Sequence, residues 1–199
     1  MLADGLHDVP AGKIADIVTS LEMFARPPLR PEGDGAGWSL RHLADPAADD
    51  YLALYSAVGR DWLWFTRVVM PRADLRAVLG DPLVEVHRLE VDHGEVGILE
   101  LDFREPDTCE LAYFGVTRGL VGGGAARWLM NRAIARAWSR PIRRFWVHTC
   151  TLDHPSAPGF YMRSGFTPFR REVEIADDPR LTGQSPPDSA PHIPVIRPI

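Results

Sequence analysis

Cys109-Glu110-Leu111-Ala112-Tyr113-Phe114-Gly115-Val116-Thr117-Arg118-Gly119-Leu120-Val121-Gly122-Gly123-Gly124-Ala125-Ala126-Arg127-Trp128-Leu129-Met130 contains a strand, a loop and the start of a helix. After Glu110 the strand is almost entirely apolar, as expected of a strand covered on both faces. Ala126, Leu129, Met130, Ala133, Ile134, Ala137 and Trp138 then recur at three- and four-residue steps, with Arg127, Asn131, Arg132 and Arg136 on the other face and Pro141 as the stop. Three consecutive glycines before this helix let the backbone approach a ligand closely and leave N–H groups unpaired. Together with the helix dipole they suit a phosphate or pyrophosphate. The glycines alone are equally compatible with a flexible connector. No Gly-Lys-Ser/Thr ending follows, so the loop is not a P-loop. A dinucleotide fold requires parallel strands on either side, whereas hairpins precede this loop.

Upstream, Val84 to Val91 alternates apolar and polar residues, Asp92-His93-Gly94 makes a turn, and Glu95 to Phe103 reads as the partner strand. Further back lie a helical region from Asp45 to Trp64, with Leu52, Tyr55, Gly59 and Trp62 inward, and a second helix from Arg72 to Leu79 stopped by Gly80 and Pro82. A strand is expected at Gly37–Arg41. Downstream come a buried strand at Phe145–Cys150, a short helix at Pro155–Ser164 and a last strand at Phe166–Ile175. Residues 1–36 read as an N-terminal arm, with a short helix near Gly12–Leu21 and an extended Arg26-Pro27-Pro28-Leu29-Arg30-Pro31 segment. The folded domain is expected over 37–176, and the proline-rich tail, 177–199, on its surface. No internal repeat is visible. This order of elements is that of a mixed α/β (α+β) domain.

With 199 residues the chain is long enough for one domain with a full core. A formal charge of −5 argues against nucleic acid as a partner, since phosphate binding leaves a clustered basic footprint. No apolar run approaches the roughly 18 residues of a membrane span, and Met1–Ile17 lacks the basic start and apolar run of a signal peptide. Cys109 and Cys150 fall within strands and form no close-spaced metal pattern. His148-Thr149-Cys150-Thr151-Leu152-Asp153-His154 contains metal-ligating residue types, but alternate strand residues face opposite ways, so no metal site is expected. These features point to a cytoplasmic protein that contacts neither membrane nor nucleic acid.

The segment from Glu110 through the loop to Met130 resembles the cofactor motif of the Gcn5-related N-acetyltransferases, the GNAT family. That family's Gln/Arg-x-x-Gly-x-Gly/Ala falls on Val121-Gly122-Gly123-Gly124-Ala125-Ala126, with Gly124 and Ala126 matching and Val121 replacing the usual polar residue. Downstream, His154-Pro155-Ser156-Ala157-Pro158-Gly159-Phe160-Tyr161-Met162-Arg163-Ser164-Gly165-Phe166 is similar to the family's Asn-x-x-Ala-x-x-x-Tyr-x-x-x-Gly-Phe segment, with His154 where Asn is common. The resemblance implies a mostly antiparallel central sheet with helices on both faces, and a V-shaped splay between the two strands flanking the cofactor. It implies acetyl-CoA, or a related acyl-CoA, as donor. That donor is held by backbone groups of Phe114, Gly115 and Val116, by the loop Val121–Ala126, and by His154 and Tyr161.

The chemistry then follows. An alkyl amine has a pKa near 10.4, so only about one molecule in a few thousand is neutral at pH 7, and attack on a thioester needs a proton acceptor. The leaving thiolate benefits from an acid. By resemblance Tyr161 faces the sulfur and is the acid, and Glu110 is the base, with Glu100, Asp102 and His148 in reserve. Trp38, Trp62, Trp64 and Phe65 lie in the part that shapes the acceptor site. The expected reaction is direct acyl transfer to a primary amine, either a small molecule or a protein N-terminus, without a metal. The rival reading is a noncatalytic acyl-CoA-binding sensor or structural subunit. Oligomeric state stays open, a homodimer included.

Overall fold

A computed structural model describes residues 3–33, 35 and 37–198. The chain runs through β1 (Lys13–Met23), β2 (Ser39–Leu43), α1 (Ala48–Gly59), α2 (Thr66–Val69) and α3 (Arg72–Leu79). It continues through β3 (Val84–Glu90), β4 (Val96–Asp102), β5 (Thr108–Val116), α4 (Ala125–Ala137), β6 (Arg144–Cys150), α5 (Ala157–Arg163) and β7 (Thr167–Asp177). The seven strands form one sheet in the order β2-β3-β4-β5-β6-β1-β7. Every pairing is antiparallel except β5 with β6. The mixed α/β reading with a mostly antiparallel sheet is what the structure has.

The sheet is covered by helices on both faces. On one, Leu129, Ile134 and Ala137 of α4 and Tyr161 of α5 pack with Leu99, Leu111, Phe145 and Val147. On the other, Tyr51, Leu54, Tyr55 and Val58 of α1 and Leu75 and Leu79 of α3 cover Val84, Val86, Val96 and Ile98. Strands buried on both faces need apolar residues at nearly every position, which is why β4 shows little alternation.

The parallel pairing of β5 with β6 covers only Thr108–Glu110 against Arg144–Trp146. Beyond it the two strands separate. The register between β4 and β5 shifts between Glu100 and Leu101, which leaves Ala112 as an extra residue. Such a bulge bends the strand that carries it. The splay therefore begins where β5 bends, and the β6-side backbone edge of residues 111–116 has no strand partner among the described residues.

The N-terminal expectation is corrected. Lys13–Met23 is not a helix in a detached arm but an inner strand, paired with β6 along one edge and β7 along the other. Its density of Ile14, Ile17, Val18 and Thr19 explains the choice, since β-branched side chains lose rotamer freedom in helices and pack well on a pleated surface. Leu21 and Met23 join the core under α4 and α5. The proline-rich stretch that follows is also docked. Asn131 of α4 donates from Nδ2 to the Arg30 carbonyl at 2.8 Å and accepts from the Arg30 N–H at Oδ1 at 3.2 Å.

After β7 the chain folds back. The buried Arg180 pairs with Asp178 at 2.7 Å and donates to the carbonyls of Ser189, Ala190 and Ile193. Ala190 donates its N–H to the Arg60 carbonyl at 3.1 Å and packs in a small cluster with Ile14, Leu63 and Leu152. The loop from Arg60 to Phe65 is thus backed by the tail.

Candidate active site

A cavity of about 490 Å³ opens in the V between β5 and β6 and reaches both faces of the sheet. On the α4 face its walls are Phe114, Val116, Val121, Gly122, Gly124, Ala126, Phe160, Tyr161 and three arginines. The loop reaches this wall through a short turn, Arg118–Leu120, with Gly122 and Gly124 at φ of +84° and +91°. L-residues with a Cβ strongly avoid that conformation. α4 begins at Ala125 with no side chain capping its N-terminus, so its first-turn N–H groups stand open for an anion. Ala125 is buried in the core and Gly123 is solvent-exposed, so of the six predicted loop residues these two do not line the cavity.

Arg30, Arg127 and Arg163 also line this end. Among the described residues none of the three has a carboxylate partner. Burial, and then the charges of Arg127 and Arg163, lower the pKa of Arg30 from its ordinary value. Like charges held together in this way are an electrostatic cost that a polyanion relieves. Arg30 was missed in the sequence because its segment read as a free arm.

Tyr161 sits between the two ends. It is 6% exposed, contacts the Phe114 ring edge-on at 6.3 Å, and lines the cavity. Burial, reinforced by the charge of Asp153, raises its pKa well above that of an ordinary phenol, so it holds its proton across the physiological range. His154 lines the cavity as well, accepting from the Ser156 N–H at 3.1 Å and packing edge-on against Trp62 at 5.0 Å.

The α1 face of the cavity is acidic and aromatic. Asp16, Asp153 and Glu174 line it with Tyr55, Trp62, Trp64, Phe65, Tyr113 and His148. Asp153 is fully engaged: Oδ1 accepts from the Trp64 indole at 2.9 Å, and Oδ2 from Thr149 and the Cys150 N–H. Gly115 allows α1 to lie close, since a Cβ there meets a Val58 methyl at 2.6 Å. Glu110 is placed differently from the expectation. It lies at the closed end of the V, level with Trp146, and contacts Nδ1 of His148 at 3.3 Å, while only the histidine lines the cavity. That carboxylate raises the His148 pKa.

Of the three reserve residues only His148 lines the cavity. Glu100 is fully buried and accepts from Tyr51 at 2.5 Å and from Arg67, a structural network beneath α1. Asp102 pairs with Arg104. Trp38 packs against Trp128 at 6.0 Å on the α4 face, away from the acceptor end, whereas Trp62, Trp64 and Phe65 line it. Asp16 was missed, because its position in the supposed arm hid that β1 carries it to the cavity.

Among the described residues, no group of three or more His, Cys, Asp or Glu is arranged to hold a metal ion. Among the described residues, no helix is long and apolar enough to cross a membrane.

Residues 75–166 match the model of the acetyltransferase (GNAT) family, the segment that carries the loop, α4 and Tyr161. Over that segment the chain is similar to a GNAT acetyltransferase domain. Its fold is similar to that of a GCN5-related N-acetyltransferase from Sphaerobacter thermophilus, with TM-score 0.59 and 19% identity over 82% of this chain and 52% of that one. An acetyltransferase of the GNAT family from Novosphingobium aromaticivorans aligns with TM-score 0.54 and 19% identity over 85% and 68% of the two chains. An aminoglycoside acetyltransferase from an uncultured soil metagenomic sample, in complex with trehalose, aligns with TM-score 0.54 and 13% identity over 66% and 89%. At such identities the likeness establishes the fold. The chain spans 63% of a conserved Staphylococcus epidermidis protein of similar fold and about half of the Sphaerobacter one. Among curated proteins none matches.

Proposed function

We propose that the protein transfers an acetyl or related acyl group from acyl-CoA to a primary amine by direct attack. The observation carrying this reading is the polarity of one continuous cavity: open helix N–H groups and three arginines at one end, carboxylates and aromatic rings at the other, and Tyr161 between them. The residues present fit an acyl-CoA. The uncapped start of α4 and the Arg30, Arg127 and Arg163 side chains suit its phosphates. The unpaired β5 edge at Phe114, Gly115 and Val116 suits the amide groups of its arm. His154 borders the same channel.

Bound there, the thioester supplies an activated acyl carbon. Tyr161 keeps its proton at neutral pH and donates it toward the departing sulfur. Glu110 acts through His148, raising the proton affinity of the imidazole and orienting it at the acceptor end. The acidic end draws a cationic amine to the open V. The acceptor is a small amine or an exposed protein N-terminus.

Incubation with acetyl-CoA and a broad amine panel, reading released thiol, tests the proposal. Amine-dependent thiol release is the expected result. Stabilisation by acetyl-CoA without thiol release for any amine would instead identify a noncatalytic acyl-CoA-binding module.

A further inference from the structure

We infer that Asp16, on the strand between β6 and β7, is the group that receives the acceptor's ammonium and takes its proton. This rests on the acyl-transfer reading of the same cavity. Asp16 is 4% exposed, and it lines the acceptor end of the cavity. Its Oδ1 has no hydrogen-bond partner among the described residues. A buried carboxylate oxygen left unpaired is costly, and an ammonium donor entering from the cavity removes that cost. Its surroundings are consistent with the role. From β7 Glu174 faces it, from the loop after β6 Asp153, and from β6 His148 and the Cys150 thiol. Burial comes first and the charge of Glu174 second in raising its pKa from the ordinary 3.8 to about 6; Asp153 adds to the rise, while Cys150 and His148 oppose it. A base poised there is ionised at neutral pH yet basic enough to accept a proton.

The three other carboxylates near the acceptor end are less suited, and Glu174 is solvent-exposed on β7. Asp153 is occupied by Trp64, Thr149 and Cys150, and Glu110 is engaged with His148 at the closed end of the V. Phe114, against which Tyr161 packs, lies further along β5 toward the open end. The step balances as follows. The ammonium gives one proton to Asp16, and the neutral nitrogen forms the C–N bond as the C–S bond breaks. The sulfur takes the Tyr161 proton, the second nitrogen proton returns to the tyrosine through water, and Asp16 discharges to solvent.

The test uses phenethylamine as probe, because Trp62, Trp64 and Phe65 offer it an aromatic wall. In Asp16→Asn, kcat/KM should fall at least about 100-fold. The rising limb of the pH profile near pH 6 should disappear, and Asp16→Glu should recover part of the rate. Stabilisation by acetyl-CoA should be the same in parent and variants, which shows that each is folded with its donor end intact. Equal turnover in Asp16→Asn and parent overturns the assignment. If the parent turns over neither phenethylamine nor the wider panel, the acyl-transfer reading fails separately. Asp16 is then judged by binding: with CoA present, phenethylamine should stabilise the parent against heat and not Asp16→Asn. Equal shifts, or none in the parent, overturn it.

Discussion

On the α4 side of the cleft the groups presented are backbone N–H donors and arginines; on the α1 side they are carboxylates, an imidazole and indole rings. The donor end depends on backbone conformation, and its key positions carry almost no side chain. The acceptor end depends on which side chains long-range pairing brings together. A single substitution therefore acts differently at the two ends: conformational strain removes the first, whereas loss of one carboxylate removes the second.

The largest effect that sharpens this contrast is expected at Gly124. Valine at φ +91° forces the loop out of position. Losing two or three backbone hydrogen bonds at roughly 1 kcal/mol each, together with strain, should weaken acetyl-CoA binding about 100-fold or more. Thermal shift with acetyl-CoA measures this, and an unchanged shift in Gly124→Val would place the donor elsewhere.

Next in size is a stability effect at the acceptor end. In the folded chain the Asp16 carboxyl holds its proton more tightly than an ordinary aspartate does. The folding advantage of that proton is complete below the ordinary 3.8 and is lost as pH rises through about 6. Asparagine does not titrate, so Asp16→Asn should gain stability relative to the parent between pH 3 and pH 8, by about 3 kcal/mol. Denaturant melts at the two pH values measure it. A pH-independent difference would mean that Asp16 is not held in an unfavourable ionised state, and the contrast between the ends would weaken.

Tyr161→Phe should lower turnover at least about tenfold with acetyl-CoA affinity nearly intact, since the ring packing survives and only the hydroxyl is lost. Full turnover would leave a water as the proton donor. The smallest effect is expected at Glu110. Its pair with His148 is part-exposed and worth about 0.5–1 kcal/mol, so Glu110→Gln should cost roughly two- to fivefold in kcat. The His148 pKa should fall at the same time, because its carboxylate partner is gone, and a proton NMR titration of the imidazole reads this directly. A loss as large as that of Asp16→Asn would return the base to Glu110.

The donor end was largely legible in the sequence, and the acceptor end was not. The glycine run, the periodicity of α4 and the Tyr161 segment are contiguous, so local spacing carries their meaning. α3 was read at its observed bounds, Arg72–Leu79, for the same reason: its apolar steps and its Gly80 stop lie within one short window. β1 carried a strand signal in Ile14, Ile17, Val18 and Thr19. Proline and glycine on both sides gave its surroundings the look of an arm, and its partners lie far away in β6 and β7. Trp38 shows the opposite limit: position along the chain suggested the acceptor end, but β2 carries it to Trp128 of α4.

The sequence by itself determined the strand–loop–helix unit and the backbone anion site at its junction, because glycine conformation, helix periodicity and dipole are properties of neighbouring residues. Only the tertiary structure decided which groups face that site across the sheet. β1 pairs between two strands from the far end of the chain and brings Asp16 opposite Glu174; the docking of residues near Arg30 on Asn131 brings a third arginine to the donor end. Strand pairing and burial act between residues distant in sequence, and they set both the company and the proton affinity of each side chain.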